Sequence, residues 1–150
     1  MVQLRHTGLY VADLDLMENF YKEVFGMHTI CSHQIQKDDL INGLLGNSDA
    51  EIMVSKLITD QGRQSGTDDM LELVHVVLPS DHVTEPSVSS IWESGTMHLG
   101  FGVDSVQDTA AKLIENGGQK VTEIHEMSNG KSCGFFEDPE GNYIELISSK

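Results

Sequence analysis

Two rhythms of apolar residues alternate along this chain, and they do so in the same order twice. Leu14, Met17, Tyr21 and Val24 recur at helical spacing, and so do Val106, Ala110, Leu113 and Ile114. Each helical stretch follows a strand-like segment and runs into a glycine, the usual helix stop. Shifting the chain by 92 residues lays HTGLYVADLDLMENFYKEVFG (6–26) on HLGFGVDSVQDTAAKLIENGG (98–118). His6 then meets His98, Gly8 meets Gly100, Val11 meets Val103 and Gly26 meets Gly118. Three strand-like runs follow each helix. They are HTICSHQIQ, AEIMVSKLIT and MLELVHVVL in the first copy, and QKVTEIHEM, KSCGFFED and NYIELIS in the second. DPEG (138–141) between the last two is a tight-turn signal. The pattern predicts an α+β fold of two βαβββ modules in one domain: module 1 over 1–78, a linker over 79–93, and module 2 over 94–150. The first His and the closing Glu lie 66 positions apart in one copy and 47 in the other. The surplus falls around Lys37–Gln64, where LINGLLGNSD reads as an inserted helical turn and loop.

Alternation along the strands assigns faces. Met97, Leu99, Phe101 and Val103 form an apolar row expected beneath the helix, leaving Thr96, His98, Gly100 and Gly102 on the open face. His6, Gly8 and Tyr10 occupy the equivalent row of the first copy. In the closing strands Leu71, Leu73, Ile144 and Leu146 belong under the helices, so Glu72 and Glu145 face the other way. Each module therefore offers one imidazole and one carboxylate on the same kind of face. A lone strand histidine is ordinarily structural and a lone strand glutamate ordinarily meets water, but here the pair recurs at matching places. Two imidazoles and two carboxylates suit a divalent transition metal, and His6, Glu72, His98 and Glu145 are the candidate ligands. His75 has the wrong parity, His28 and His33 lack a partner at ligand spacing, His82 lies in the linker and His125 in a strand of unassigned role. These five read as structural or solvent-facing.

Charge removes several classes of partner. Nine Lys and Arg against 24 Asp and Glu give −15 at neutral pH, the wrong sign for a nucleic-acid phosphate backbone or an anionic membrane surface. No apolar run approaches a membrane span, and the N-terminal MVQLRHTGLY lacks the apolar core of a signal peptide, so a cytoplasmic protein is expected. Cys31 and Cys133 stand far apart without metal-ligand spacing and read as small strand residues. There is no GxSxG, phosphate-binding glycine loop or HExxH.

RHTGLYVADLDLMENFYKEVFGM, MLELVH, MHLGFGVDSV and GFFEDPEGNYIELI together resemble the vicinal oxygen chelate superfamily, which includes glyoxalase I, methylmalonyl-CoA epimerase, extradiol dioxygenases and bleomycin-resistance proteins. The resemblance implies that the two sheets curl into a cup around one divalent ion (nickel, cobalt, zinc, manganese or iron). His6, Glu72, His98 and Glu145 then match the four ligands of the glyoxalase I branch. Four protein ligands leave two adjacent positions on a six-coordinate ion, which favours Lewis-acid chemistry on a carbonyl over oxygen activation. The implied activity is that of a metal-dependent isomerase or lyase, with Glu145 or Glu72 as the proton-transfer group and a small molecule as substrate. An acyl-CoA epimerase, a drug-sequestering protein and a ring-cleaving dioxygenase are the alternatives. The residues that contact glutathione in glyoxalase I find no match: HTICSHQIQ has no Arg, and Val76 stands where that family has Asn. Many members are homodimers, some exchanging modules, and a homodimer is expected here.

Overall fold

The computed structural model describes residues 2–67, 69–81 and 90–148. It is α+β, with two compact units, Met1–Glu85 and Pro86–Lys150, each built on a mixed sheet. The first runs β1 (His6–Tyr10), α1 (Leu14–Phe25), β2 (His28–Gln36), α2 (Asp39–Leu45), β3 (Glu51–Ile58), α3 (Asp60–Ser65) and β4 (Met70–Leu78). Its strands lie in the order β1-β4-β3-β2, with β1 parallel to β4 and the rest antiparallel. The second runs β5 (His98–Val103), α4 (Val106–Glu115), β6 (Gln119–Lys120), β7 (His125–Glu126), β8 (Ser132–Glu137) and β9 (Tyr143–Ser148). Its order is β5-β9-β8-β6, with β7 also on β8 and β5 parallel to β9. Both units are thus βαβββ-like.

Capping residues start each helix where the periodicity places it. Asp13 accepts from the Leu16 amide and Ser105 from the Asp108 amide. Met17, Phe20, Tyr21 and Val24 of α1 are buried, as are Leu57, Leu71 and Leu73 on the sheet beneath. In the second unit the core comprises Val106, Ala110, Leu113, Phe136, Ile144 and Leu146. Of the expected apolar rows, Leu99, Phe101 and Val103 are only half-buried, Ile114 is 50% exposed, and Met97, just before β5, is 70% exposed.

Three local features differ from the sequence expectation. The run 119–127 is not one strand but two short ones. The amides of Val121 and Thr122 both reach the Phe135 carbonyl, while the Phe135 amide turns to Thr122 Oγ1. A side chain thereby takes the place of a ladder partner and breaks the strand. The insertion carries a full helix, α2, and a second short helix, α3, follows β3; DQGRQS has no apolar rhythm to announce it, only the Thr59 cap. The inserted helix α2 is packed against the sheet. Ile41 and Leu45 pack with Ala50, Ile52, Val54, Val74 and Val76, on the sheet face opposite α1.

The α1 side of the same sheet buries a charge. Glu18 is 6% exposed and Ser55 fully buried. Glu18 Oε2 accepts from Ser55 Oγ at 2.7 Å and Ser32 Oγ at 2.8 Å. Burial alone would raise the Glu18 pKa. The hydrogen bonds from Ser55 and Ser32, with Lys22 and His33 nearby, outweigh it and hold the pKa below the ordinary value.

A carboxylate whose pKa is lowered by folding stabilises the fold above its unfolded pKa, and that contribution fades as acid protonates it. Glu18→Ala should cost about 1–3 kcal/mol at neutral pH by stranding the buried Ser55 hydroxyl. In chemical denaturation, the gap to the wild type should narrow below about pH 4; a gap that does not change with pH contradicts this reading. The matched glycines make a second test, since they serve different needs. Gly26 caps α1 in the left-handed region at φ 61°, whereas a Cβ on Gly118 would lie 2.6 Å from the Glu137 carbonyl oxygen. Gly26→Ala should cost about 1 kcal/mol, and Gly118→Ala more, roughly 1–3 kcal/mol; the reverse order in thermal melts would be inconsistent with the close helix–strand approach.

Candidate functional site

The two His–Glu pairs are built by the same device. Parallel pairing sets Gly8 beside Glu72 across β1 and β4, and Gly100 beside Glu145 across β5 and β9. The histidine stands two residues before each glycine, on the same face. Nothing lies within 4 Å of where a Gly8 side chain would begin, and only Glu145 Oε2, at 3.6 Å, does so at Gly100. The carboxylate can therefore lean across the glycine toward the imidazole. His6 Nε2 lies 3.2 Å from Glu72 Oε2, and His98 Nε2 lies 3.3 Å from Glu145 Oε2. Both imidazoles are 43% exposed and the carboxylates are better covered, at 12% and 27%. Each unit thus brings together the two residues that the alternation assigns to it.

The surroundings of the pairs differ. Across the β3–β4 ladder Glu72 faces Lys56, whose Nζ is 3.6 Å from Oε2. Across β8–β9 Glu145 faces Phe135, whose ring meets His98 edge-on at 5.3 Å between centroids. The Cys133 thiol donates to Glu145 Oε1 at 3.3 Å. Burial first, then the neighbouring Glu145 carboxylate, pushes the thiol pKa up, so Cys133 stays a neutral donor. Both cysteines are free thiols. In the sequence Cys133 reads only as a small strand residue and Lys56 carries no signal of its own, although the alternation applied to the closing strands places both beside the glutamates when extended to the third strand of each copy.

Three of the remaining histidines hold local structure. His28 Nε2 meets Asp60 at 2.5 Å, and His33, at φ 54°, bridges Asp15 and Ser32. His75 Nδ1 lies 3.2 Å from the Val11 carbonyl. His125 is exposed in β7, and His82 lies outside the described residues.

Two cis ligands on one six-coordinate ion, each about 2.1 Å from it, stand about 3 Å apart. The N···O separations in both pairs are close to that, and neutral imidazole with carboxylate is a donor set that divalent transition metals accept. Each pair offers two side chains of ligand type, one imidazole and one carboxylate. Among the described residues, no group of three or more His, Cys, Asp or Glu side chains is placed to hold a metal ion.

A family model described as the Glyoxalase/Bleomycin resistance protein/Dioxygenase superfamily matches residues 3–146. Among curated relatives, the chain is 27% identical to the lactoylglutathione lyase of Haemophilus influenzae, covering 99% of this chain and 94% of that one. It is 26% identical to a probable lactoylglutathione lyase of Synechocystis, over 97% and 95% of the two chains. Among solved structures, a glyoxalase family protein from Bacillus cereus superposes with a TM-score of 0.85 at 16% identity, over 99% of this chain and 94% of that one. Glyoxalase I from Zea mays gives 0.62 at 20% identity, over 97% of this chain and 44% of that one. At those identities the structural likenesses show the fold.

Proposed function

The chain belongs to the Glyoxalase/Bleomycin resistance protein/Dioxygenase superfamily, and from that premise we propose that it is a metal-dependent isomerase or lyase of the glyoxalase I type. Its substrate is a small carbonyl compound, and its reaction moves a proton at the carbon next to the carbonyl. The observation that carries this reading is the His–Glu pair built twice on parallel strands, each carboxylate leaning across a glycine toward an imidazole. His6 and His98 serve as neutral nitrogen ligands, and Glu72 and Glu145 as oxygen ligands, to one divalent ion of nickel, cobalt, zinc, manganese or iron. That all four serve the same ion rests on the internal repeat and on the ligand set of the glyoxalase I branch. Bound there, the ion supplies Lewis acidity to the negative oxygen that develops on the substrate.

One of the two carboxylates takes the proton from carbon and returns it to the neighbouring carbon. A proton-transfer group must lie within hydrogen-bond reach of its proton, and each glutamate shares its own sheet's face with an imidazole. Phe135 and Cys133 border Glu145 without adding charge, so the second pair offers an apolar wall for the substrate. Glutathione conjugates are not part of this reading, because the expected Arg and Asn positions are not matched. The protein is read as a cytoplasmic homodimer; among the described residues no helix is long and apolar enough to cross a membrane.

Two measurements test the proposal. Purified wild-type protein should carry about one divalent ion per chain by elemental analysis, and His6→Ala or His98→Ala should leave it nearly metal-free after dialysis; full metal content in both variants rules out this ligand set. Glu145→Gln keeps the shape and a ligand oxygen, so the metal should stay. Turnover should fall by about two to four orders of magnitude if Glu145 is the proton carrier, with Glu72→Gln as the parallel variant. Solvent deuterium incorporation next to the carbonyl follows the same step. If neither Gln variant slows it while metal remains bound, proton transfer gives way to a binding or oxygen-using function.

A further inference from the structure

Lys56 differs from the other cations of this acidic chain in where it stands. It rises from the middle of β3, paired across the ladder with Glu72, on the face that carries His6. On that face the apolar cluster under α2 takes in Ile52, Val54, Val74 and Val76, and the Lys56–Glu72 pair comes next in line beyond it. The lysine side chain is only 32% exposed, and its ammonium is 3.6 Å from Glu72 Oε2. That is an ionic contact but too long for a hydrogen bond. Among the described residues no hydrogen bond to the ammonium is recorded, and Glu72 is its one ion-pair partner. An ammonium carries three donors, so the described residues leave its hydrogen-bonding capacity open to a bound group.

The repeat sharpens the point. The position matched to Lys56 in the second unit is Phe135, which faces Glu145 in the same way. The copies keep His, Gly and Glu but place a cation beside one pair and a ring beside the other. A fixed positive charge next to a metal ligand opposes binding of a divalent cation by like-charge repulsion. Its presence there is accounted for if an anion arrives with the substrate. The chain as a whole carries −15, a field that repels anions, so an anionic substrate needs a local cation to stay.

We propose that Lys56 is a specificity-determining residue that binds a carboxylate carried by the carbonyl substrate. The inference rests on the metal-centred reading of the same site. Its test uses two small chelators with the same metal-binding end: acetohydroxamate, which is otherwise apolar, and succinomonohydroxamate, which ends in a carboxylate. Both are titrated calorimetrically into cobalt-loaded full-length protein. The wild type should bind the carboxylated probe about fivefold more tightly, a modest gain in keeping with a partly exposed ion pair. The preference should shrink with added salt. Lys56→Met and Lys56→Gln should each abolish the preference while leaving acetohydroxamate affinity and cobalt content unchanged, and Lys56→Arg should keep part of it. Equal affinity of the wild type for both probes overturns the assignment. So does an equal loss of both probes in the variants, which would show that Lys56 only holds Glu72 in place. Failure to take up cobalt, or to bind either hydroxamate, would instead bring down the metal-centred reading and this inference with it.

Discussion

The rest of the candidate site depends on one constraint, a parallel strand pairing that sets a glycine directly beside a glutamate. Diagonal neighbours on a sheet face lie too far apart for short side chains, but an imidazole and a carboxylate can close the gap if nothing stands between them. Gly8 and Gly100 provide that clearance. A side chain at either position would compete for the space over which the carboxylate leans. The helix of each module makes this possible from the other face: Leu71, Leu73, Ile144 and Leu146 are buried, and burying them fixes the parity that sends Glu72 and Glu145 the opposite way.

That parity argument is why so much of the arrangement was legible beforehand. Apolar alternation in MLELVHV and NYIELIS is strong, and a one-residue slip would turn every side chain over, so the faces of Glu72 and Glu145 follow from the pattern alone. What was not legible lacked a periodic signal. The polar helix α3 has no apolar stripe, and the break between β6 and β7 depends on the Thr122 hydroxyl competing for the Phe135 amide, a choice invisible in composition. The Glu18 cluster was hidden for a related reason. A glutamate among apolar helix positions reads as a solvent-facing residue until the serines of β2 and β3 are seen to meet it. Met97 was placed in the apolar row by extending the strand one residue too far.

The two copies share a frame and differ in what surrounds it. In the first, α2 covers part of the sheet face that bears Glu72, and Lys56 stands beside the glutamate. In the second, Phe135 and the neutral thiol of Cys133 border Glu145. Duplication supplies two His–Glu pairs, and divergence around them makes the two carboxylates chemically distinct. Even the matched glycines have parted ways, Gly26 serving a left-handed cap and Gly118 a close backbone approach.

X-ray absorption on the zinc-loaded protein is the most direct test of the claim that both His–Glu pairs serve a single ion. The predicted spectrum shows two imidazole nitrogens per zinc and the remaining ligands as oxygen, at about 2.0–2.2 Å, with one zinc per chain. One imidazole per zinc with two zinc ions per chain would mean that each pair binds alone. A sulfur shell at about 2.3 Å would put Cys133 in place of a carboxylate. The first result contradicts a shared site, and the second contradicts the two-histidine, two-glutamate ligand set.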